Sequence, residues 1–255
     1  LHVCSLTTGE QLAAFCPKDI ANVRDLKNLL HQRLGLLRFR QRLVQGSTIL
    51  DDDDELTLVG SSTVHLLISG FIEASREDIC NFVRLCAHGE SDEVEEMLGW
   101  PFDPNPEVAA PWSPPLLEAC ENCRTQGHVE VVRLLLEGGA CTEVVNIYGK
   151  GPVRLAFERY AFEHYRGHEV HDNADEAQHV ATAVRLVLEA GANPQGLEGF
   201  RPSKLTMLAL PIVAKDDFVR VWCVMLSCVI VFFYLLTFCF FSLYVPSFAT
   251  YVCSI

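Results

Sequence analysis

Residues 127–140 read Gly127-His128-Val129-Glu130-Val131-Val132-Arg133-Leu134-Leu135-Leu136-Glu137-Gly138-Gly139-Ala140. Val129, Val132, Leu135 and Leu136 recur near the 3.6-residue period, which predicts an amphipathic helix. Gly127 stands just before that helix and Gly138-Gly139 just after it, where a chain turning out of a helix needs positive φ. A single helix of this kind cannot bury its apolar face alone. It therefore requires neighbours on both sides.

The spacing Gly-His-x-x-x-Val-x-x-Leu-Leu-x-x-Gly-Ala resembles the second helix of an ankyrin repeat. Upstream, Pro114-Pro115-Leu116-Leu117-Glu118-Ala119 resembles the opening Thr-Pro-Leu-His-x-Ala of such a repeat, with Pro115, Leu116 and Ala119 matching. Pro suits a first helical turn, where its missing N–H has no partner anyway. Together these stretches define a unit over residues 111–145. A preceding degenerate unit spans 75–106, with Ile79, Phe82, Val83 and Cys86 on one short helical face and Val94, Met97 and Leu98 on another. Ser91 is read as the cap of that second helix.

A third unit, 146–194, opens at Gly151-Pro152-Val153-Arg154-Leu155-Ala156 and closes on Val184–Asn193. It carries an insertion at 160–179, read as a polar loop. A partial unit follows at 199–213, so the repeat region is expected over 75–213. His164, His168, His171 and His179 crowd the insertion, but Gly167 interrupts them and no His-Glu-x-x-His order appears. Cys120-Glu121-Asn122-Cys123 lacks the second pair that a zinc site needs and the strand–helix setting of a redox site. No metal, no cofactor and no catalytic residue is expected.

The first 70 residues follow a different pattern. A hairpin turning at Thr7-Thr8-Gly9-Glu10 precedes an amphipathic helix carrying Ile20, Val23, Leu26, Leu29, Leu30 and Leu34, with Asp19 as its expected cap and Gly35 at its end. Then come the strand Arg42–Gln45, a turn at Gly46, the acidic run Asp51–Glu55, read as a solvated turn, and a last strand from Thr63 to Ile68. Leu6–Gly9, Asp19–Lys27, Gln41–Gly46, Leu50–Asp52 and Ser62–Leu66 resemble a ubiquitin-like β-grasp domain. Ser69-Gly70-Phe71 runs on into more protein, so a conjugable modifier is not expected. The resemblance implies a binding patch at Val44, His65 and Leu67, with Thr7 in place of the family's hairpin leucine. Ordinary half-exposed sheet positions are the competing reading for Val44 and Leu67.

The fold class expected is thus an α+β β-grasp domain, an all-α ankyrin-like solenoid, then one transmembrane helix. The last rests on residues 221–245. Val221 to Ile255 holds no charged residue, and the 25 residues 221–245, rich in Val, Leu, Ile and Phe, suffice to cross a hydrocarbon core of about 30 Å. Lys215 and Arg220 lie upstream, which places the folded domains on the cytosolic side of a single-pass membrane protein. With 33 Asp+Glu against 20 Lys+Arg, the formal charge of −13 argues against nucleic-acid binding. Eleven cysteines scattered through apolar contexts read as free thiols rather than a disulfide framework.

The expected function is a non-enzymatic adaptor or scaffold for protein partners, including components of the ubiquitin pathway, with no small-molecule substrate. The ankyrin resemblance places its contacts near Trp112, Tyr148 and Lys150, although Trp112 equally suits packing between repeats. The chain opens on Leu1 rather than Met, which keeps open a second reading as a regulatory N-terminal piece of a larger channel or enzyme.

Overall fold

The structure is a computed structural model that describes residues 1–16, 20–56, 63–108, 112–165 and 174–193. Asp19, the partial unit at 199–213 and the apolar stretch 221–245 lie outside these residues. Among the described residues no helix is long and apolar enough to cross a membrane.

The N-terminal part is a five-stranded mixed sheet. Its strands are β1 (His2–Ser5), β2 (Gln11–Ala14), β3 (Gln41–Gln45), β4 (Thr48–Leu50) and β5 (Thr63–Ile68), in the order β2-β1-β5-β3-β4. β1 and β5 run parallel and the other neighbours antiparallel. Strand alternation sends Val3, Leu43, Val64 and Leu66 to one face. There they bury against Val23, Leu26 and Leu30 of helix α1 (Val23–Leu34). The turn glycine of the first hairpin, Gly9, has φ 71°, as a tight turn requires.

Helix α1 is capped by Asn22, whose side chain accepts from the Asp25 N–H. The cap thus falls three residues beyond Asp19, and Gly35 closes the helix in the left-handed conformation. Asp51, Asp53, Asp54 and Glu55 of the acidic run are exposed, as in a solvated turn, but the run is also tied to α1. The carbonyls of Asp52 and Asp54 accept from Arg24 and Val23 N–H, satisfying donors that a helix N-terminus leaves unpaired. The Asp52 side chain turns inward between Lys27 and Arg38.

Six further helices follow: α2 (Arg76–His88), α3 (Ser91–Gly99), α4 (Pro115–Glu121), α5 (Gln126–Glu137), α6 (Pro152–Tyr165) and α7 (Ala174–Glu189). They pair as α2/α3, α4/α5 and α6/α7, with α4 packed between α2 and α6, and α5 between α3 and α7. The result is a two-layer stack. Fully buried Ala119 and nearly buried Ala156 keep the first helices of successive pairs close. Phe82 meets Phe102 at 4.6 Å between ring centroids, and burying a side chain of this size contributes about 2–3 kcal/mol.

Several local expectations change here. Ser91 is the first residue of α3, not its cap, and its hydroxyl bonds to Asp92. Gly127 lies inside α5, where a Cβ would stand 2.4 Å from the Gly89 carbonyl oxygen; it is small for close approach, not for positive φ. Only Gly139 of the following pair takes positive φ. Helix α5 buries Val129, Val132 and Leu135 of the expected face but leaves Leu136 half-buried, and it buries Val131 and Leu134 as well, because it is covered from several sides. The inserted region lengthens α6 to Tyr165 and α7 back to Ala174, so its two ends are helical rather than loop.

Candidate protein-binding surfaces

Arg38 forms the link between sheet and helices. It sits in a short 3-10 turn, Arg38–Arg40, just after α1. Upstream, the Leu36 carbonyl accepts from both His31 Nδ1 and Gln41 Nε2, which fixes the segment that presents Leu37 and Arg38. The Arg38 side chain is 3 % exposed and donates to Asp52 at 2.7 and 3.0 Å, to Glu95 of α3 and to Glu137 of α5. Arg24 adds a second contact to Glu95 at 3.1 Å. Leu37 lies against Gly139, where a Cβ would come within 2.7 Å of its methyl groups. Arg42 donates to the Gly99 carbonyl at the end of α3, and Ile72 N–H to the Pro101 carbonyl. Guanidinium groups at the C-terminal ends of α3 and α5 also complement the negative helix pole.

The protonation states match this geometry. Burial alone would raise the Asp52 carboxyl, but the charge and hydrogen bonds of Lys27 and Arg38 outweigh it and hold Asp52 below its usual range. Burial likewise opposes the Arg38 charge, yet the hydrogen bonds and charges of Glu137 and Asp52 raise its affinity for the proton.

On the open face of the sheet, Val44 lies directly opposite His65 and Arg42 opposite Leu67, while Ile49 pairs with Val44 from the edge strand. Val44, His65 and Leu67 therefore share one face, away from α1. Val44 and His65 are half-buried and Leu67 is exposed. Ile49, at 64 % exposure, extends the same apolar surface and was marked only by its place in the alternation of β4. Thr7 lies in the hairpin turn and is exposed, next to the exposed Leu6.

The second surface is the loop that enters α6. Asn146 organises it: its side-chain oxygen accepts from Tyr148 and Lys150 N–H, its backbone N–H donates to the Lys150 carbonyl, and its carbonyl accepts from Gly149 N–H. Gly149 takes φ 70°, closing the turn. The loop holds Ile147 at 89 % and Tyr148 at 76 % exposure, beside exposed Val145. Lys150 Nζ lies 6.0 Å from the Tyr148 ring centroid and pairs with Glu158, which also meets Arg154. Burial would raise the Glu158 carboxyl, but hydrogen bonds and charge from Lys150 and Arg154 keep it low.

Tyr148 and Lys150 are thus brought together. Trp112 belongs to the loop before α4, the helix packed on α6, and is 39 % exposed. Asn105 links the preceding loop to the next pair, donating to the Gly139 carbonyl and accepting from Cys141 N–H. Ile147 escaped sequence reasoning because an isolated apolar residue in a turn has no periodic context.

Other clusters are structural. Cys120 and Cys123 are both buried, Cys123 just beyond the end of α4, and burial pushes both thiols up, Cys123 to about 12. They are therefore poor nucleophiles at neutral pH. His128 is buried with Nε2 donating to the Ala87 carbonyl at 3.2 Å and Nδ1 accepting from the Thr125 hydroxyl at 2.8 Å. His179 donates to the Arg124 carbonyl at 3.0 Å. Among the described residues no His, Cys, Asp and Glu group could hold a metal.

No protein-family model matches the sequence. A search of curated proteins finds no match either.

Proposed function

We propose that this chain is a non-enzymatic adaptor that presents protein-binding surfaces on a ubiquitin-like β-grasp domain joined to an ankyrin-like stack. The observation that carries the reading is the loop at Val145–Lys150. Four hydrogen bonds around Asn146 hold a rigid loop whose apolar side chains face solvent. Exposing Ile147 and Tyr148 does nothing for folding, whereas rigid exposed aromatic and aliphatic groups are what interface centres use. The mixed sheet order and the two-layer helix pairs are compatible with the two family resemblances. Val44, Ile49, His65 and Leu67 offer a second surface, suited to partners from the ubiquitin pathway. We further propose that residues 221–245 insert in a membrane and that the folded part faces the cytosol.

Proximity labelling in cells tests the adaptor reading. The variant Ile147→Asp/Tyr148→Ser should lose a defined subset of labelled proteins, and Val44→Asp a different subset. A labelling profile unchanged by both variants refutes it.

A further inference from the structure

Four exposed apolar side chains lie where the sheet meets α3: Leu67 on the open face of β5, Phe71 and Ile72 just after that strand, and Trp100, 68 % exposed, just after α3. Hydrogen bonds fix their proximity. Ile72 N–H donates to the Pro101 carbonyl at 3.1 Å, next to Trp100, while Arg42, opposite Leu67 in the ladder, reaches the Gly99 carbonyl on Trp100's other side. Arg40 Nε donates to the Ser69 carbonyl at 2.8 Å and its guanidinium lies 5.2 Å from the Phe71 ring centroid. Arg40 and Arg42 thus donate to main-chain carbonyls, and neither meets a carboxylate among the described residues. In a chain of charge −13, two half-buried guanidiniums without a carboxylate partner among the described residues, set beside apolar groups, keep donors available for an anion.

We propose that this seam is a docking site for an acidic, apolar-rich peptide segment of a partner protein. Its carboxylates would pair with Arg42 and Arg40, and its aliphatic or aromatic groups would cover Trp100, Leu67 and Ile72. The site is composite: neither the sheet nor the helices alone hold both the cations and the tryptophan. The proposal rests on the adaptor reading and names a partner chemistry for it.

Two other occupants fit less well. An anionic membrane surface generally requires four or more clustered cations, and this seam offers two, Arg40 and Arg42. A second copy would bring the same Arg pair to a two-fold interface, where like charges meet.

The test uses the full chain in mild detergent and two fluorescein-labelled short peptides, one of alternating Glu with Leu and Phe, the other with Lys in place of Glu. Fluorescence anisotropy should show saturable binding of the Glu peptide only. Trp100→Ala and Arg42→Gln should each weaken it about tenfold, with circular dichroism unchanged, and Ile72→Ser serves as an independent variant on the same surface. Ile147→Asp should leave peptide binding intact, which separates this site from the loop surface. Absence of saturable binding overturns the proposal, as does equal binding of the Lys peptide or indifference to all three seam variants. Transfer to phosphatidylserine vesicles that Arg42→Gln abolishes, or a dimer abolished by Trp100→Ala, overturns it in favour of the other occupants. If the seam fails while Ile147→Asp/Tyr148→Ser still alters labelling in cells, the adaptor reading survives without this site.

Discussion

Arg38 and Glu137 are 99 residues apart in sequence, yet the guanidinium of one donates to the carboxylate of the other at the end of α5. Asp52 and Glu95 converge on the same guanidinium. A buried cation serving three carboxylates stabilises only while every member is present, since removing it leaves like charges in partial burial. Arg38→Met should therefore destabilise the protein by about 3 kcal/mol in urea unfolding. A change within experimental error would show that the three carboxylates do not depend on Arg38.

Acid should weaken the fold in two steps. Burial lowers the His128 imidazole below its usual 6.5, despite the Ala87 carbonyl. The unfolded chain then takes up the proton more readily, so this contribution is full above pH 6.5 and is lost as pH falls through the folded value. The second step comes from Asp52, whose folded value lies below 3.8, so its contribution is lost as pH falls below 3.8. Urea midpoints measured from pH 7.5 downward should fall for the wild type and run flatter for His128→Gln below pH 6.5. Parallel profiles would remove His128 as the source of the first step.

The glycines of the stack separate into two physical kinds. At Gly127 an added methyl meets the Gly89 main chain, which has little room to move, so Gly127→Ala should cost about 2 kcal/mol. At Gly99 nothing lies within 4 Å of the added carbon, and Gly99→Ala should be neutral or gain about 0.5 kcal/mol from helix propensity. Thermal unfolding of the two variants side by side checks the contrast. Equal effects would contradict the close approach of α5 to Gly89.

Membrane insertion of 221–245 has a direct outcome. The full chain should stay in the pellet after alkaline carbonate extraction, and deletion of 221–245 should release it. Release of the full chain refutes insertion.

The periodic parts of this fold are legible in sequence, and the junctions are not. Val44, His65 and Leu67 fall on one face because strand alternation is strict, and Ala119 and Ala156 mark close helix pairs because only small residues suit them. Arg38 leaves no such mark. In Leu36-Leu37-Arg38-Phe39-Arg40-Gln41-Arg42 it looks like any surface arginine, because two of its three partners lie 57 and 99 residues away. Asp52 is hidden in the same way within a run of acids, of which it alone pairs with both Lys27 and Arg38. Gly127 sits at a helix end in the sequence, so a turn is the natural reading. Only the neighbouring Gly89 carbonyl reveals its purpose.

That the sheet and the helical stack form one body, bound through Arg38, is tested most directly by native-state hydrogen exchange on the wild type and Arg38→Met. The expected result is faster exchange in the variant in β3, α3 and α5 together, since these elements share the contact. Faster exchange confined to residues 38–40, with α3 and α5 at wild-type rates, would contradict it.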